Sequence, residues 1–252
     1  MQSFDDTFLG LCGAQADYGR AACAVLPIPY DATTSYATGT REGPRAIIAA
    51  SQQVELYDAD LRRESHRCGI ATLAPIEPDA RGPAEMNERI FRAARRVVRD
   101  GKFLLALGGE HSVTSALVRA ALTRHKRLSV LQIDAHADLR DSYQGSPYSH
   151  ACVMRRVHDL GVPAVGVGIR SYCSEEARFI RKHDKPLFSA RDCREENWID
   201  AALEPLTDTV YVTIDIDGFD PAYAPGTGTP EPGGLDWFQV CDLLSALTRS
   251  KR

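Results

Sequence analysis

The chain has 252 residues, with 30 Lys+Arg against 34 Asp+Glu and a formal net charge of −4. Charged residues at 25% and hydrophobic ones at 44% exclude whole-chain disorder, collagen-like repeats and coiled coil. The near balance of charge argues against a dedicated nucleic-acid binder, and no apolar run approaches the roughly 20 residues of a membrane-spanning helix. The N-terminal MQSFDDTFLG carries two Asp and no basic region, so a cytoplasmic protein without a signal peptide is expected. Seven cysteines, odd in number and widely scattered, point to thiols in a reducing compartment rather than to a disulfide framework or zinc ribbon.

In chain order, short apolar runs alternate with helical patterns. The runs lie at 22–29, 69–76, 102–109, 128–135, 162–169, 185–190 and 209–217. Several are continuously hydrophobic, as in strands covered on both faces of a parallel sheet. Helices are predicted after Gly43-Pro44, over the stretch from Gly82 to Gly101, after His111-Ser112, after Ser174 and from about Asp236. In the second of these, Met86, Ile90, Ala94, Val97 and Val98 form one stripe, Pro83 sits in the first turn and Gly101 is a stop. With no long linker, residues 1–252 read as one doubly wound α/β domain whose ligands belong at the carboxyl ends of the strands. The basic clusters Arg62 to Arg67, Arg92 to Arg99 and the terminal RSKR read as solvated faces or ends.

Three motifs each follow an apolar run directly: GGEHS (Gly108 to Ser112), DAHAD (Asp134 to Asp138) and DIDGFDP (Asp215 to Pro221). If strand geometry persists, Asp134, His136 and Asp138 share one face, and Asp215 and Asp217 do likewise. Four carboxylates gathered at the end of a buried sheet repel one another unless cations compensate. Four Asp with His111 and His136, and no sulfur, suit Mn(II), Fe(II) or Ni(II), and suit two ions better than one. Two divalent ions and a bridging hydroxide would leave such a site slightly negative, which favours a cationic substrate. Singly, each motif has an ordinary alternative, an exposed strand end or an anion-binding loop; His66, His125, His158 and His183 lie outside all three motifs.

With these motifs, and with DIDGFDPAYAPGTGTPEPGG, IPYDATTSYATGTREGPRAI (Ile28 to Ile47) and YSHACVMRRV around His150, the chain resembles the ureohydrolase (arginase/agmatinase) family over about residues 20 to 240. The agmatinase branch is the most similar. The resemblance implies a three-layer αβα fold with a mostly parallel sheet, two Mn(2+) per chain, and hydrolysis of a guanidino group by a metal-bridging hydroxide. It implies His111, Asp134, Asp138 and Asp215 on one manganese, and Asp134, His136, Asp215 and Asp217 on the other. Asp138 matches the family residue that collects the hydroxide proton, and His150 the histidine that relays a proton to the leaving amine. Asp220 matches a structural residue. Agmatine, giving putrescine and urea, is the first expected substrate, with guanidinobutyrate or a related guanidino acid as the alternative. A homo-oligomer, trimer or hexamer, and no nucleic-acid or membrane partner are implied as well.

The family's last strand, which carries a guanidinium-binding glutamate, and its last helix find no counterpart before Arg252. The resemblance therefore implies an apolar sheet edge left uncovered, and leaves open a catalytically impaired member acting as a binding or regulatory module. A zinc amidohydrolase on the same fold, with one metal, is a third reading.

Overall fold

A computed structural model describes residues 6–250; Lys251 and Arg252 of the RSKR ending lie outside the described residues. The chain forms two compact units, one of Gly39–Thr123 with the chain up to Ala32, the other of Thr33–Thr38 with the chain from Arg124 onward.

In the first unit, β1 (Cys23–Ile28) lies between β2 (Ile70–Thr72) and β3 (Phe103–Gly108), all parallel. The strand predicted at 69–76 ends early. Leu73 and Ile76 still donate to Val25 and Pro27, but Pro75 between them has no N–H to give. Helices α1 (Gly43–Ser51), α2 (Pro83–Arg99) and α3 (Thr114–Leu122) follow the three strands. The predicted stripe of α2, Met86, Ile90, Ala94, Val97 and Val98, is buried, and Gly101 after the helix adopts φ +78°, where only glycine is unstrained.

In the second unit, the order β6-β5-β4-β7 is formed by β4 (Ser129–Ile133), β5 (Ala164–Ile169), β6 (Leu187–Ser189) and β7 (Val210–Ile214), again all parallel. All seven predicted strands therefore exist. The helices are α4 (Val153–Asp159), α5 (Ser174–Lys182), α6 (Trp198–Leu203) and α7 (Trp237–Ser250). The short helices α4 and α6, with less than two full turns, carry too little periodicity to be read from sequence. Leu131, Ile133, Val165 and Val167 of the sheet pack with Leu235, Val240, Leu243 and Leu247, all buried. From β4 the chain builds outward through β5 to β6 and returns to β7 on the other side of β4. That makes the carboxyl ends of β4 and β7 the topological switch point, the place where ligands bind in open α/β sheets.

Strands β3 and β7 edge their sheets and carry half-exposed apolar side chains. Phe103 is 71% exposed and Ile214 45%, whereas every residue of β4 is buried. None of the seven cysteines forms a disulfide, and among the described residues no helix is long and apolar enough to cross a membrane.

Candidate metal centre

The five residues after β4 and the five after β7 form the two turns at the switch point. In the first, Asp134 is 1% exposed, and its Oδ1 accepts the backbone N–H of His136 at 2.7 Å. Gln132, buried in β4, donates its Nε2 to Asp134 Oδ2 at 2.9 Å and to the His136 carbonyl at 3.0 Å. In the second turn Asp217, 2% exposed, accepts the Ala135 N–H on Oδ1 at 3.1 Å and the Thr229 hydroxyl on Oδ2 at 3.0 Å. Asp215 Oδ1 accepts from the N–H of Asp217 at 3.3 Å. Gly218 lets the two turns touch, since a Cβ there would lie 2.8 Å from the Asp134 nitrogen.

Asp134, His136 and Asp217 thus present ligand atoms within 4.8 Å of one another, and Asp134 and Asp215 offer carboxylate oxygens equally close. His136 Nδ1 lies 3.1 Å from Asp217 Oδ2, and its Nε2 lies 3.8 Å from Glu231 Oε1. Burial by itself would lower the His136 pKa, but Asp134 and Asp217 outweigh it and push the value up to about 11. The pocket is strongly receptive to positive charge. Its donors, carboxylate oxygens with an imidazole nitrogen and no sulfur, could hold a divalent metal ion.

The strand alternation expected for the aspartates does not hold. β4 stops at Ile133, and Asp138 adopts φ +50°, which breaks the period of two. Asp138 is 6% exposed and its carbonyl accepts from Met154 and Arg155 at the start of α4. β7 stops at Ile214, and Ile216–Gly218 form a 3-10 turn. Asp215 and Asp217 meet through that turn and not by sharing a strand face. His111 is buried in the first unit, on the 3-10 turn His111–Val113 after β3. His150 opens a 3-10 turn before α4. Its ring nitrogens lie within 3.4 Å of the Thr33, Ser35 and Ser149 hydroxyls, and its N–H donates to Thr33 Oγ1 at 3.0 Å. Asp220 is structural, accepting N–H groups of Ala222, Gly233 and Gly234. Sequence reasoning missed Gln132, Thr33, Ser35, Thr229, Glu231 and Arg170. No residue type or spacing marks them, although Thr33 and Ser35 lie in the Ile28 to Ile47 stretch, and Thr229 and Glu231 in the GTGTPEPGG stretch, that carry the resemblance.

A parallel α/β fold with a carboxylate-imidazole cluster at the switch point is an arrangement that could hold metal ions. The model of the arginase family matches residues 21–252. The N(1)-aminopropylagmatine ureohydrolase of Synechocystis sp. is 44% identical over 247 residues, 95% of this chain and 81% of its own. An agmatinase of Pyrococcus horikoshii is 36% identical, covering 100% of this chain and 86% of its own. The agmatine ureohydrolase structure of Thermoplasma volcanium superposes with a TM-score of 0.85 at 35% identity, covering 94% of this chain and 82% of that one. The chain belongs to the arginase family. It is a ureohydrolase, and its likeness is to the agmatinase branch.

Proposed function

We propose that residues 1–252 work as a single ureohydrolase domain that releases urea from N(1)-aminopropylagmatine or agmatine with two Mn(2+) bound. The observation that carries this reading is the cluster of Asp134, His136 and Asp217, joined through Asp134 to Asp215, at the switch point. Family resemblance adds His111 and Asp138 to the ligand set, with Asp134 and Asp215 shared between the ions. Agmatine is the substrate expected from sequence. The 44% identity to an aminopropylagmatine enzyme supports the longer polyamine as first choice, and the anionic surroundings of His136 suit a polycation.

Two manganese ions in this set would supply a water nucleophile at neutral pH and positive charge to stabilise the oxygen that it adds to the guanidinium carbon. The slight negative charge that the four aspartates leave on the centre would draw the guanidinium to the end of the sheet. Asp138 takes the proton released on attack. His150 hands a proton to the leaving amine; the Thr33, Ser35 and Ser149 hydroxyls around its ring orient it for that transfer. Cytoplasmic location and a trimeric or hexameric assembly complete the reading.

The test is urea release in manganese, with N(1)-aminopropylagmatine and agmatine beside arginine, guanidinobutyrate and guanidinoacetate. Turnover of either agmatine compound at least 100-fold above the other guanidines supports the assignment. Two bound manganese ions without urea from any of them would leave the non-catalytic binding module as the better reading.

A further inference from the structure

Arg170 follows β5 directly, and its guanidinium is spent entirely on main-chain carbonyls. Nη2 donates to the carbonyls of Glu231 at 2.6 Å, Asp217 at 2.7 Å and Phe219 at 3.3 Å. Nη1 reaches Gly168 at 3.0 Å and Gly218 at 3.4 Å, and Nε reaches Pro232 at 3.2 Å. The Arg170 backbone N–H donates to the Ala135 carbonyl at 2.8 Å, so the residue is tied to the first turn as well. An arginine beside Asp217, Asp220 and Glu231 would ordinarily fork onto a carboxylate. This one leaves those carboxylates to other partners and grips the chain that carries them.

The consequence falls on His136. Three carboxylates face its ring nitrogens, Asp217 at 3.1 Å and Asp134 at 3.7 Å from Nδ1 and Glu231 at 3.8 Å from Nε2, and two of them, Asp217 and Glu231, belong to the residues whose carbonyls make the shortest bonds to Arg170. Gly234 makes room for the clamp, because a Cβ there would lie 2.7 Å from Nη2. A ligating histidine is oriented by whatever holds its second nitrogen, and loss of such support typically weakens metal binding 10–100-fold.

We infer that Arg170 is a positioning residue for the His136/Asp217 half of the metal centre, acting through the main chain of Asp217 and Glu231. This rests on the two-ion reading above. Lysine cannot reproduce the planar fork, so Arg170→Lys should retain one manganese near wild-type affinity and bind the other roughly 10–100-fold more weakly. The manganese concentration for half-activation should rise by the same factor, with KM for the guanidino substrate unchanged at saturating metal. Metal content after dialysis against graded manganese, calorimetric titration and near-ultraviolet circular dichroism would be run on the wild-type chain, Arg170→Lys and Arg170→Gln. Two ions bound by the variants as tightly as by wild type would overturn the inference. Equal weakening of both ions, or loss of the fold in both variants, would also overturn it, by making Arg170 a general scaffold residue. Fewer than two ions on the wild-type chain would bring down the two-ion reading and this inference together, a result visible before any variant is made.

Discussion

The turns after β4 and β7 carry equivalent carboxylates but are held in opposite ways. The β4 turn is supported in part from within its own stretch of chain, by Gln132 two residues before Asp134 and by the His136 N–H, and in part through the Ala135 main chain, which bonds to Arg170, Ser171 and Asp217. Its aspartates, Asp134 and Asp138, are both buried. The β7 turn is supported from afar, by Arg170 after β5 and Thr229 in the glycine-rich loop. Its flanks are open, with Ile214 45% and Ile216 46% exposed. The aspartate of the first half takes a side-chain bond from its own strand, whereas the second half takes its side-chain bonds from Arg170 and Thr229 far along the chain, so the second should loosen first when the fold is perturbed.

Five substitutions probe that asymmetry. The largest effect is expected at Asp134, whose carboxylate both halves share. Asp134→Asn should cut kcat/KM at least about 1000-fold, roughly 4 kcal/mol, and strip bound manganese; full turnover with full metal content would refute the shared-ligand assignment. Next is Leu131, fully buried in β4 beneath the first turn. Leu131→Ala should destabilise by about 2–5 kcal/mol in denaturant titration, and a change below about 1 kcal/mol would mean that the core under β4 is not rigid. Gln132→Ala and Thr229→Val set the two supports against each other. Removing Gln132 deprives two acceptors and should cost about 1–3 kcal/mol, against about 0.5–1.5 kcal/mol for the single Thr229 hydroxyl. The reverse order in thermal melts would invert the comparison.

The smallest effect is pH-dependent. The N–H groups of Ala222, Gly233 and Gly234, together with Arg170, outweigh burial and hold the Asp220 carboxyl below its usual range. Because the folded pKa is depressed, the stabilisation is present above the unfolded carboxylate pKa and is lost as pH falls through the folded one. Asp220→Asn should therefore lower Tm at pH 7, with the gap to wild type narrowing below about pH 4. A gap that widened in acid would contradict the assignment.

What could be read from sequence follows the same division. Apolar runs and their abrupt ends in DAHAD and DIDGFDP are local signals, and they located all seven strands and the switch-point cluster. Arg170 was invisible because its partners are main-chain carbonyls, which every residue has. Thr33 and Ser35 lie more than a hundred residues from His150 in sequence, so no spacing rule connects them. The period-two argument failed at Asp138 because alternation ends where the strand ends, and nothing in DAHAD marks that point.

The left-handed backbone at Asp138, φ +50°, decides how that residue can be interrogated. Asparagine and aspartate tolerate this region far better than alanine does. Asp138→Asn therefore removes charge alone, whereas Asp138→Ala also strains the chain where its carbonyl caps α4. A loss of activity seen only in the alanine variant would report helix entry, and one shared by both would report the carboxylate, as ligand or proton acceptor, with bound manganese separating the two. The same backbone constraint favours aspartate, asparagine and glycine at this position before any selection on catalysis acts.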